Sequence, residues 1–211
     1  MTDPTRDADV PSIAPTRRRA LGMLGATALD DSAVTRSDIR SDLDGSDTQE
    51  GAPMTLRMRV LDSGSSCGPI AGAAVYVWHC NREGEYSQYD SPMIGGDFTA
   101  FSWLRGVQIT NDAGEVEFQT ILPGRYQGRA FHIHFEVYDD ASFGTKLLTS
   151  QLAADDDEIA QLYTDAGYDA ALRNDTSNST DNVFGDGVSQ QLLTFSGDVS
   201  GGLVASIDVT V

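Results

Sequence analysis

Several residue types are scarce in this chain, and each scarcity excludes something. Of 211 residues, two are cysteines, Cys67 and Cys80, and three are histidines, His79, His132 and His134. Two thiols cannot build a zinc centre of three or four cysteines. Lysine is nearly missing: Lys146 stands alone, and every other base is arginine. Lys and Arg together number 14 against 32 Asp and Glu, a formal net charge of −18. Such a field repels nucleic acid and anionic membrane surfaces, so neither is expected as a partner. It also suits a salt-rich habitat, where counter-ions screen the repulsion; a high-GC coding bias with an acidic tail gives the same composition. No run reaches the roughly 18 apolar residues of a membrane span, and no internal repeat is visible.

What is present divides in two. Residues 1–52 are rich in Asp, Ser, Thr, Arg and Gly without a sustained period, which predicts a disordered tail. Within it, Arg17-Arg18-Arg19 precedes the mildly apolar stretch Gly22 to Leu29. Paired arginines before such a run resemble a shortened twin-arginine export signal. This predicts an extracellular or cell-surface protein, or a cytoplasmic one should the shortened signal not work. The apolar fraction of 40% leaves residues 53–211 enough material for one domain with a core.

That domain reads as all-β. Met54, Leu56, Met58 and Val60 alternate with Thr55, Arg57 and Arg59, the period of a strand with one buried face. Further strands are predicted over 73–80, 106–110, 115–121, 131–138 and 203–211, with Asn111-Asp112-Ala113-Gly114 as a hairpin turn. One short helix is predicted over 156–163, capped by Asp155. Short strands between Gly/Asp/Ser loops imply a β-sandwich, mostly antiparallel, with long loops.

One strand carries candidate chemistry. In Phe131-His132-Ile133-His134-Phe135-Glu136-Val137, side chains two apart share a face. The apolar residues take one face, and His132 and His134 take the other. Two imidazoles at this spacing can reach one metal ion. Equally, they can be solvated or hydrogen-bonded histidines, and spacing alone names no further ligand. His79 could complete a three-histidine site, and an acid such as Glu136 could complete a His/His/carboxylate site for Fe(II) or another metal. A β-sandwich of this size could also be a carbohydrate-binding or adhesive module with incidental histidines.

Three blocks narrow the choice. The first is Pro69-Ile70-Ala71-Gly72-Ala73, running into Val77-Trp78-His79-Cys80-Asn81 and Gly84-Glu85-Tyr86-Ser87. The second is Leu104 to Thr110, then Gly114 to Phe118. The third is Thr120-Ile121-Leu122-Pro123-Gly124-Arg125-Tyr126, ending in Arg129 and His132-Ile133-His134-Phe135. In order and spacing they resemble the intradiol ring-cleavage dioxygenases, the family of protocatechuate 3,4-dioxygenase and catechol 1,2-dioxygenase. The resemblance extends over roughly residues 53–211.

It implies one non-haem Fe(III) per chain, held by Tyr86, Tyr126, His132 and His134. It implies cleavage of a catechol-type ring with O2 to a muconate-type dicarboxylate. Tyr126 would double as a proton acceptor from substrate, and Arg129 would stabilise negative charge on the ring. Because strand parity puts Arg129 opposite His132, it should precede the strand or sit beyond a bulge. The residue types suit the metal, since Fe(III) is a hard cation that prefers anionic oxygen and lowers a tyrosine's pKa. His79 is expected to be a packed histidine, and Tyr89 and Tyr138 buried aromatics.

In an exported chain Cys67 and Cys80 read as one disulfide, and exported members of the family often carry such a pair; in a cytosolic chain they read as two buried thiols. Two departures stand out. Only Gln127 and Gly128 separate Tyr126 from Arg129, where cytosolic members carry a longer insertion, so a shorter pocket wall is expected. The family's Thr-Glu-Gly-Pro-aromatic stretch before the first strand is absent. No oligomeric state follows from the sequence.

Overall fold

The computed structural model describes residues 35–92 and 95–211. The arginine-rich segment and the apolar run to Leu29 lie outside the described residues. In chain order the elements are β1 (Pro53–Asp62), β2 (Gly68–Pro69), β3 (Ala74–Trp78), β4 (Asp90–Ser91), β5 (Gly96–Asp97), β6 (Arg105–Ile109), β7 (Glu115–Ile121), β8 (Ile133–Tyr138), β9 (Lys146–Leu152), α1 (Asp156–Ala166), α2 (Asp169–Leu172), β10 (Thr194–Asp198) and β11 (Gly202–Thr210).

Two sheets face each other. In the first, β1 lies between parallel β11 on one side and antiparallel β7 on the other, with β10 outside β11. The second runs β6-β3-β8-β9 and is antiparallel throughout. The expected β-sandwich is therefore present, mostly antiparallel. The alternation read in β1 holds: Met54, Leu56, Met58 and Val60 are buried against Val75, Val77, Phe131, Ile133, Phe135 and Val137 of the facing sheet. All five residues of β3 are buried because its second face is covered too. There Ala74, Tyr76 and Trp78 join Tyr86, Tyr138 and, in part, Tyr126 in a separate aromatic cluster.

The turn at Asn111–Gly114 corrects the hairpin expectation. Its local bonds are those of a tight turn, with the Gly114 N–H donating to the Asn111 carbonyl. The flanking strands nevertheless belong to different sheets, β6 pairing with β3 and β7 with β1. The turn therefore arches from sheet to sheet. Alternation shows which face of a strand is buried but not which neighbour it pairs with.

The packed chain also begins before the expected boundary at residue 53. Residues 35–39 bridge β6 at Thr35–Val107 and β7 at Asp38–Gln119, closing the gap between the sheets. Ile39 is fully buried there. The approach is so close that a Cβ on Gly106 would stand 2.5 Å from Ile39 Cγ2. Polar composition hid this strap, because one apolar residue anchors it and backbone hydrogen bonds do the rest.

Helix α1 starts where expected. The Asp155 carboxylate accepts from the Asp157 and Glu158 amides, and three acids occupy the first turn, favourable against the helix dipole. The helix extends past Tyr163 to Ala166 and ends on Gly167, whose φ of 68° is the left-handed cap that glycine adopts without strain.

Candidate metal centre and active site

Four side chains converge at one end of the second sheet. His132 and His134 come from the entry and second residue of β8, on the face away from the main core. Their rings lie 4.9 Å apart, nearly perpendicular. Tyr86 arrives on the loop after β3, and its ring is 5.9 Å from that of His134 and 5.8 Å from that of Tyr126. Tyr126 follows the Pro123-Gly124 segment, its ring 5.6 Å from His132. That segment must approach the chain after β3 closely: the Gly124 N–H donates to the Asn81 carbonyl, and a Cβ there would stand 2.3 Å from the Arg82 carbonyl oxygen. Glycine at this position brings the two tyrosine-bearing segments together.

The donor atoms face one another. Tyr86 Oη lies 2.9 Å from His132 Nε2. His132 Nδ1 lies 2.8 Å from the Ala130 carbonyl, which fixes the ring's proton on Nδ1 and leaves Nε2 as the acceptor. Burial, and then the Arg129 charge, push the His132 imidazole down to about 3. Burial, and then His132, hold His134 well below the ordinary imidazole range. Burial also lifts both phenols, Tyr86 strongly. Without a cation the cluster is thus two neutral imidazoles and two protonated phenols. A bound cation reverses the logic for the phenols by stabilising their anions.

The expected arginine is at the site. Arg129 lies in the turn before β8, its N–H donating to the Tyr126 carbonyl, as strand parity required. Its Nη1 is 3.3 Å from Tyr126 Oη and 3.4 Å from His132 Nε2. His79 stands apart, fully enclosed between Thr120 Oγ1 at 2.7 Å and the Cys80 carbonyl at 2.8 Å. The Tyr138 hydroxyl donates to Glu136. Glu136 in turn is engaged by Lys146 Nζ at 2.6 Å, so it is not available to the histidines. Among the described residues no three of His, Cys, Asp and Glu come together, which removes the His/His/carboxylate and three-histidine readings.

Other neighbours were not legible in the sequence. Trp78 stacks on His134, ring centres 4.7 Å apart and planes within 5°. Its indole Nε1 is buried with no acceptor beside the ring of His134. Gln151 of β9 pairs in register with His134 and accepts from Arg129 Nη2 at 2.5 Å. Asp181, 52 residues beyond Arg129, holds its Nε. Arg105 is buried and donates to Ser87 Oγ at 2.8 Å and Tyr76 Oη at 3.0 Å, bracing the residue after Tyr86. The cross-strand pairing could have suggested Gln151 once β8 and β9 were known to be neighbours; nothing local signalled Asp181.

The disulfide expectation is overturned: both cysteines are free, Cys67 exposed and Cys80 buried. The Cys67 N–H is tied to Asp62 at the end of β1, near where Val60 meets Gly114 before β7. Cys80 Sγ lies 3.4 Å from the Gly124 carbonyl, beyond the other end of β7. Seven residues of strand separate those ends, about 23 Å at the usual rise, whereas a disulfide needs Cα atoms within about 7 Å.

A pair of imidazoles, two phenols and an arginine thus converge on this sandwich, and its likeness to known proteins supplies the class. A family model described as "Dioxygenase" matches residues 28–183, and the chain belongs to that family, the intradiol ring-cleavage dioxygenases. The chain is 27% identical over 182 residues to the chlorocatechol 1,2-dioxygenase of Rhodococcus opacus, covering 72% of this chain and 66% of that protein. It is 31% identical over 143 residues to the catechol 1,2-dioxygenase of Acinetobacter baylyi, covering 59% and 42%. It thus spans two thirds or less of these relatives. An intradiol ring-cleavage dioxygenase from Tetranychus urticae superposes with a TM-score of 0.70 at 24% identity, covering 84% of this chain and 86% of that one. At that identity the likeness speaks for the fold.

The donor set fits the metal that the family implies. Two phenol oxygens and two imidazole nitrogens, one O···N pair already 2.9 Å apart, are the hard and borderline donors a trivalent cation takes.

Proposed function

We propose that this chain binds one non-haem Fe(III) through Tyr86, Tyr126, His132 and His134, and cleaves a catechol-type ring between its hydroxyl-bearing carbons, both atoms of O2 entering a muconate-type dicarboxylate. The convergence of two tyrosines and two histidines at one end of the sheet carries this reading, together with the family match. When bound, the metal supplies Lewis acidity and a route for electron density between ring and oxygen.

The chain's own residues would do the rest. His132 enters with its free nitrogen already turned to the site, because the Ala130 carbonyl holds the other ring proton. Tyr86, only 4% exposed, keeps its place through turnover. Tyr126 is more exposed and lies beside Arg129, which suits it to move and to take a proton from an incoming catechol hydroxyl. Arg129 Nη1 would face negative charge as it builds on the ring. Trp78 fixes the plane of His134 by stacking.

The test is ring opening itself. Iron-loaded protein with catechol and 18O2 should yield a dicarboxylate carrying two labelled atoms. No product, or a semialdehyde from cleavage outside the diol, would reject the reading. A carbohydrate-binding or adhesive module would bind sugars and turn over no catechol.

A further inference from the structure

We propose that Asp181 is the positioning residue that aims Arg129 at the reacting ring. The inference rests on the dioxygenase reading for its meaning, but not for its geometry. Arg129 Nε lies 2.8 Å and 3.1 Å from the two carboxylate oxygens of Asp181. The carboxylate is bound on its other sides as well: Oδ2 accepts from the Ala130 N–H at 2.9 Å, and Oδ1 from the Val183 N–H at 2.8 Å. Asp181 is thus locked to the turn that carries Arg129 and to its own loop.

The consequence for Arg129 is directional. Asp181 takes the Nε edge, and Gln151 takes Nη2. The remaining nitrogen, Nη1, points at Tyr126 Oη and His132 Nε2. A free arginine side chain has four rotatable bonds and spends most of its time elsewhere; a fork held at two corners presents the third without further loss of entropy.

Stability does not account for the pair. Among the ion pairs of the described residues this is the most enclosed, Asp181 fully buried and the Arg129 side chain 11% exposed. Burying two charges costs about as much as their attraction returns, and apolar replacements of equal volume often do as well. Orientation is what a buried, fully bonded pair supplies and an apolar pair does not. The carboxylate also balances the guanidinium charge next to a site that must take up a cation.

Asp181→Asn keeps the shape and removes the charge. In iron-loaded protein, kcat for catechol should fall about tenfold or more, as for supporting residues of metal sites. KM should change little, and the protein should keep its iron and its colour, because no metal ligand is replaced. In an Arg129→Gln background, Asp181→Asn should add no further loss, since its effect passes through Arg129. Asn178→Ala is the control. It frees the same loop from the Ala154 carbonyl without touching Arg129, and should leave kcat intact. Unchanged kcat in Asp181→Asn, losses that multiply with Arg129→Gln, or an equal loss in Asn178→Ala would overturn the proposal. Should Asp181→Asn fail to fold, Asp181→Glu decides: it keeps the charge but displaces the fork, so unchanged kcat would again overturn it.

A readout independent of turnover separates this from the dioxygenase reading. In the full chain loaded with diamagnetic gallium(III), the Arg129 Nε–H should exchange slowly in wild type and fast in Asp181→Asn. Slow exchange in both contradicts the positioning role, even if ring cleavage is confirmed.

Discussion

Tyr86 Oη and His132 Nε2 meet at 2.9 Å from segments 46 residues apart, one on a loop leaving the sheet and one at the head of a strand. The contact is the smallest unit of the proposed centre. The imidazole is held as an acceptor by Ala130, so the phenol's proton lies between the two atoms that a cation would join. Replacing that proton by a metal requires no change of ring tautomer.

Arg129→Ala should retain iron and colour while slowing turnover by about 10²-fold, the usual cost of one electrostatic donor in an active site. Iron content, the visible spectrum and steady-state kinetics measured on one preparation check this. Loss of iron would instead make Arg129 a structural brace for Tyr126.

His79 makes stability pH-dependent in a defined window. Burial depresses its imidazole to about 4, from the ordinary value near 6.5. Between those values the unfolded chain binds the extra proton, so stability rises with pH across the window. The contribution is complete above about 6.5 and is lost as pH falls toward 4. Chemical denaturation from pH 4 to 7 should show a steeper rise in wild type than in His79→Gln; equal slopes would remove His79 from the account.

Both thiols should titrate as free cysteines. Exposed Cys67 should react in the native protein, and Cys80, whose thiol burial pushes up to about 12, only after unfolding. A Cys67–Cys80 cross-link found by mass spectrometry without reductant would contradict the fold around β7.

The acid excess, 32 against 14 bases, should make folding salt-dependent. The thermal midpoint should rise as NaCl is raised from low to molar concentration. An unchanged midpoint would leave coding bias as the reading of the composition.

Legibility of the sequence followed the range of the interactions. The buried face of β1 and the capped start of α1 were readable because alternation and an N-cap are local. The same-face placement of His132 and His134 was readable for that reason too. The two tyrosines became candidates through resemblance, since no period singles out a phenol in a loop. Long-range pairing stayed hidden. The Asn111–Gly114 turn looks like a hairpin whether its strands share a sheet or not. Ile39 anchors a strap within a polar stretch, and Asp181 reaches Arg129 from a loop of ordinary composition. The cysteines misled for the same reason, because sequence spacing does not show that the length of β7 lies between them.

The visible spectrum of the iron-loaded protein tests the central claim most directly. If Tyr86 and Tyr126 are both tyrosinate ligands of Fe(III), the wild-type protein should be wine-red from phenolate-to-metal charge transfer. Tyr86→Phe and Tyr126→Phe should each shift or bleach that band, and His132→Ala and His134→Ala should lose iron. A colourless iron-replete protein, or a band untouched by either tyrosine substitution, would contradict the four-residue centre.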